Sequence, residues 1–152
     1  QWARQTNATQ PLTSGLWSGD RWQNSNLQNP LVSVKLEQSD VISFHSYSGP
    51  DGLKETIQAL RIHHRPLICT EYLAREHGST FENVLPIFKE EKIHPYNWGF
   101  VSGRSQTIHH WRSWKSPTQG EPDIWHHDIY RQDHTPYSEN EVIVIRELTN
   151  AS

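Results

Sequence analysis

Glu71 is the residue whose position most suggests a working chemical group. It ends the apolar run of "RPLICTEYLAR" (Arg65 to Arg75) as a single carboxylate, followed by an aromatic residue and a helix-entry sequence. A carboxylate so placed is either the reactive group of an enzyme or the polar end of a buried strand. Three other short runs carry groups that belong beside it. "DVISFHSYS" (Asp40 to Ser48) bears His45 and Tyr47 two apart, hence on one side of an extended chain. "PLTSGLW" (Pro11 to Trp17) closes on Trp17, and "YNWGF" (Tyr96 to Phe100) holds Asn97 and Trp98. A carboxylate, an imidazole, a phenol and indoles are the amphipathic and polar groups that line clefts for polar ligands. Trp111 and Trp114 add to the set from "SGRSQTIHHWRSW", a stretch long for a strand-to-helix loop, and long rim loops usually carry binding groups. Taken singly, each residue also has an ordinary reading: a capping or salt-bridging Glu, packed His and Trp, a loop that merely covers the sheet.

The elements that would position these groups follow from local pattern. The four runs are rich in β-branched, aromatic or small residues and are bounded by Pro, Gly, Asn or Asp, which predicts strands. Helical patterns lie between or after them: Pro30 to Gln38 with Asn29 as cap, Leu53 to His63, Thr80 to Lys92, and Glu139 to Leu148. Two of these starts carry a Ser-x-x-Glu capping box, Ser79 with Glu82 and Ser138 with Glu141. Strand centres recur roughly 25 to 30 residues apart, the length of a βα unit, so parallel strands with right-handed crossovers are expected. In such sheets chemistry gathers at the carboxyl ends of the strands, where Glu71, His45, Trp17 and Trp98 are expected.

Composition limits the alternatives. At 152 residues the chain is expected to be one domain, 1–152, or part of a larger one, and it is short for a complete α/β barrel of about 250 residues. Four βα units make half of an eightfold barrel, with edges and a concave face that something must complete. A net charge of −3 without a Lys/Arg cluster leaves no footprint for nucleic acid or an anionic membrane. No apolar run approaches the ~20 residues of a membrane span, and no signal peptide is visible. The chain has no Met and begins at Gln1, so a processed or excised piece is the expectation, and its location is left open. The lone Cys69 is expected to pack as a small hydrophobe.

"DVISFHSYS", "RPLICTEYLAR" with "GSTFENVLPIFKEEKI", and "YNWGFVSGRSQTIHHWRSW" resemble the last strands of the clan A retaining glycoside hydrolases, the cellulase, xylanase and mannanase type of barrel. The resemblance runs from about Gln10 to Thr149 and is nearest to cellulase-like or 1,4-β-xylanase-like bacterial proteins. It implies strands five to eight of a (β/α)8 barrel, with Glu71 as nucleophile. It also implies His45 and Tyr47 as groups that orient that carboxylate and bound the sugar site, and Trp98 as the aromatic floor under the sugar. A retaining glycosidase needs a second, protonated carboxyl about 5 Å from the first. The family places it in an Asn-Glu-Pro-type sequence after the fourth strand, and neither that sequence nor that strand occurs here. Glu76 and Asp20 sit in loops without a matching motif and read as surface or capping residues.

Two function classes are therefore expected. One is a retaining β-glycosidase acting on plant polysaccharide or oligosaccharide, completed by a missing N-terminal half-barrel or by a homodimer. The other is a carbohydrate-binding or structural remnant of such a barrel. No cofactor is expected. No specific metal site is expected either, because adjacent His in "IHH" (His63, His64), "HH" (His109, His110) and "WHHD" (His126, His127) lack the i, i+4 spacing that puts two ligands on one helical face. The sequons at Asn7 and Asn150 read as chance.

Overall fold

The structure, a computed structural model, describes residues 2–7, 9–16 and 29–149. Trp17, Asp20 and Asn150 lie outside the described residues. Three parallel strands form an open sheet in the order β1 (Ile42–His45), β2 (Leu67–Tyr72), β3 (His94–Asn97). Five helices accompany them among the described residues: a single turn α1 (Trp2–Gln5), α2 (Pro30–Gln38), α3 (Pro50–Arg61), α4 (Phe81–Glu90) and α5 (Glu139–Thr149). The class is mixed α/β, as the alternation of patterns predicts.

Local chemistry explains most element bounds. In α2, Pro30 takes the first helical position and the Asn29 side chain accepts from the Leu31 N–H at 2.9 Å. Pro50 at the first turn starts α3 three residues before the predicted Leu53. Leu53, Ile57 and Leu60 at i, i+4 and i+7 give α3 its buried stripe, and Phe81, Val84, Leu85 and Phe88 do the same for α4. These stripes close over Ile42, Phe44, Leu67 and Cys69 on one face of the sheet. Burial pushes the Cys69 thiol up to about 12, so it packs as an inert small hydrophobe.

Three expectations are corrected. The predicted first strand reduces to one parallel bridge, Leu16 to Phe44, with the Leu16 N–H donating to Ser43 O at 2.9 Å. The last strand ends at Asn97 rather than running through "YNWGF", because Gly99 turns the chain at φ +90°, a left-handed conformation. A Cβ there would stand 2.7 Å from Asp128 Oδ1, so the turn also needs glycine for space. Neither capping box forms fully. Thr80 caps α4 without a side-chain bond and the Ser79 hydroxyl is buried without a partner among the described residues. At α5 the Ser138 hydroxyl accepts weakly from Glu141 N–H (3.4 Å), while the Glu141 carboxylate is taken by Arg75.

Candidate functional site

The site is built on an irregularity in the ladder. Phe44 pairs with Cys69, but the next residue, His45, pairs with Glu71, so Thr70 is passed over. Without that slip Glu71 would share the core-facing side with Leu67 and Cys69, since side chains alternate along a strand. The slip turns Glu71 to the rim beside His45 and sends Tyr72 inward against Phe81 and Phe88. Such bulges re-aim side chains next to functional sites.

At the rim, the Tyr47 hydroxyl donates to Glu71 Oε2 at 2.6 Å, and His45 Nδ1 lies 3.1 Å from the same oxygen. Both contacts fall on Oε2. Burial, with the Glu71 bond and charge beside it, raises the Tyr47 phenol far above its ordinary range, so it stays a donor. His45 moves the other way: burial lowers its pKa, against the pull of Glu71.

Glu71, Tyr47, Trp98, Trp111 and Trp114 line one open cleft of ≈ 380 Å³. Among the described residues Glu71 is the single carboxylate in that lining. Trp111 meets Tyr47 edge-on with ring centroids 4.9 Å apart, and Trp114 is 83 % exposed, free to meet a ligand. Both belong to a 3-10 turn, Trp111–Trp114, in the long loop after β3. That loop is fastened from beneath: His126 N–H donates to Ile108 O at 2.7 Å, His127 N–H to Thr107 O at 3.1 Å, and the Thr107 hydroxyl to Asp128 at 2.7 Å.

Six of the eight predicted residues thus meet at one rim. Asn97 does not. Its amide donates to Gly99 O, and it faces the side of Tyr72 and Phe81, so it shapes the turn that presents Trp98. Trp17 lies outside the described residues. Glu76, read as a surface or capping residue, instead has a side chain only 19 % exposed, which pairs with Arg112 at 2.7 Å.

Sequence reasoning passed over what stands behind Trp111. His77 stacks on its indole (5.1 Å, 28°), and His126 meets it edge-on at 4.6 Å. His110 completes the group, with Nε2 3.2 Å from His77 Nε2. Burial, reinforced by the neighbouring imidazoles, pushes the pKa of His126 down to about 3. These rings come from three separate segments, so no test of chain spacing finds them.

Compared with known proteins, the chain meets no match: no family model, no curated protein and no solved structure.

Proposed function

We propose that this chain is one half of a retaining β-glycosidase site, with Glu71 as nucleophile on a β-linked plant oligosaccharide or polysaccharide. The observation that carries the reading is a carboxylate whose Oε2 accepts from Tyr47 and adjoins His45, inside a cleft walled by Trp98, Trp111 and Trp114. Indoles stack on the apolar face of a pyranose, while phenol and imidazole bond its hydroxyls or fix the nucleophile. With Oε2 so held, Oε1 is the oxygen for attack on an anomeric carbon.

The same proposal takes the sheet as consecutive strands of a (β/α)8 barrel. Strands paired in chain order, all parallel, and a further parallel contact at Leu16 suit a consecutive stretch of a singly wound barrel. The proton donor for the leaving oxygen then comes from another segment or from a second copy of the chain. A second reading, a sugar-binding remnant without turnover, is favoured by the lack of another carboxylate in the described cleft lining.

Hydrolysis of aryl β-glycosides and oligosaccharide binding, measured for wild type and Glu71→Gln, separate the two. Turnover in the wild type that falls at least about a thousandfold in Glu71→Gln, with binding kept, supports the glycosidase. Binding without turnover in either protein supports the remnant. No binding to either would reject both.

A further inference from the structure

We propose that His77, His110 and His126 form a binding site for one divalent transition-metal ion of the zinc type, set directly behind the Trp111 wall of the cleft. One ligand nitrogen from each ring lies within 4.8 Å of the others. The 3.2 Å between the Nε2 atoms of His77 and His110 is the separation of two ligands on a shared ion, roughly 3 to 3.4 Å for metal–nitrogen bonds near 2.0–2.1 Å.

His126 makes the case for a ligand rather than a stack of rings. It is fully buried, yet neither ring nitrogen has a hydrogen-bond partner among the described residues. Buried polar nitrogens are nearly always satisfied, so an orphan of this kind calls for an ion or water. The three rings also sit on fixed backbone. His77 is in a tight 3-10 turn (Arg75–His77), closed by its N–H to Ala74 O at 2.8 Å. His126 is tied to Ile108, two residues before His110, and its own carbonyl accepts from Arg75 N–H at 3.2 Å. Preorganised imidazoles suit zinc, copper or nickel, and a set without carboxylate oxygens disfavours magnesium and calcium. Glu76 is the nearby acid, held against Arg112 at the outer edge.

Binding has a structural consequence. His110 Nδ1 now accepts from Arg112 N–H at 2.9 Å, which caps the Trp111–Trp114 turn. A metal on Nε2 moves the ring proton to Nδ1, so the cap is exchanged for the metal bond and the turn bearing Trp111 and Trp114 shifts. This site stands apart from the glycosidase reading, since none of its ligands lines the cleft.

The test is titration of the purified full chain with Zn2+, followed by calorimetry, together with Co2+ absorption and the Arg112 amide shift by NMR. One ion per chain is expected, with visible Co2+ bands of a low-coordinate nitrogen site and a moving Arg112 amide. His77→Gln and His110→Gln, both on the outer side of the group, should each weaken Zn2+ affinity on the order of 100-fold. A His63→Gln/His64→Gln control should leave it unchanged. The proposal fails if wild type binds no Zn2+ at millimolar concentration, if the His77 and His110 variants bind like wild type, or if the control abolishes binding. His126→Ala is not needed for the decision, so a folding defect there leaves the test intact.

Discussion

At the residue scale, the aim of Glu71 depends on a slip of one residue in the ladder between β1 and β2, at Thr70. Glu71, His45 and Tyr47 were legible because each ends or follows an apolar run, where a polar side chain has little reason to be unless it faces a rim. Strict alternation, applied to "LICTE", puts Glu71 on the core side with Cys69; the slip at Thr70 reverses this, and nothing in the composition of the run announces it. The same alternation does explain Asn97, which as the neighbour of Trp98 faces away from it. Two expectations test the aim of Glu71. Tyr47→Phe removes the donor at 2.6 Å while keeping the ring against Trp111. A hydrogen bond to a charged group contributes about 1.5–3 kcal/mol, so any glycosidase turnover should fall roughly 10- to 100-fold with little change in melting temperature. An unchanged rate would detach Tyr47 from the chemistry. His45 should titrate below the ordinary ~6.5 of histidine, because burial outweighs the attraction of Glu71. Between its folded and unfolded pKa values the unfolded chain binds more protons, so stability rises with pH there and is lost as pH falls through that window. NMR titration of the His45 ring checks this, and a midpoint above 6.5 would contradict it.

At the element scale, helix periodicity was easy to read and terminal chemistry was not. The stripes of α3 and α4 follow from spacing alone, whereas both predicted capping boxes gave way to tertiary demands. Glu141 is the clearer case. Its carboxylate leaves the α5 start to receive two bonds from Arg75, 2.7 Å from Nε and 2.6 Å from Nη2, with both side chains about 95 % buried. The same guanidinium donates to Trp125 O and Asp128 O, each at 3.0 Å, and lies over the Tyr137 ring at 4.6 Å. One residue of the turn after β2 therefore anchors α5 and the loop under Trp111 together. Arg75→Leu strands a buried carboxylate and two carbonyls, so a loss of about 3–5 kcal/mol is expected in urea unfolding. Arg75→Leu/Glu141→Leu should recover part of that loss, because apolar pairs often replace buried ion pairs at small cost. A double variant no more stable than the single one would place the damage in the carbonyls rather than in the orphaned charge.

At the scale of the whole molecule, the α/β class was legible from the rhythm of strands and helices, and the number of strands was not. A one-residue contact at Leu16 stands on the β1 flank in place of a full strand, so the described sheet has three members and an open flank at β3. Helix packing covers the Cys69 face, but the opposite face and the β3 flank keep large apolar groups in water: Tyr96 is 61 % exposed, Trp98 46 % and Phe100 63 %. On β3 itself, the ladder to β2 satisfies one side, and the groups on the far side have no strand partner among the described residues. An edge of this kind, beside exposed aromatics, favours association, and twofold pairing is the commonest way to cover it. We therefore expect a homodimer at micromolar concentration, with β3 and the residues after it at the contact. Under the glycosidase proposal, a second copy of the chain is one source for the proton donor. Sedimentation velocity of wild type should give a dimer, and Tyr96→Glu/Phe100→Glu, which places charge on that flank, should give a folded monomer. If wild type is itself a soluble monomer across that range, the flank is not covered by a second copy. In mixtures of wild type with Glu71→Gln, a cleft completed by both copies loses activity faster than simple dilution, whereas a linear fall means that each chain works by itself.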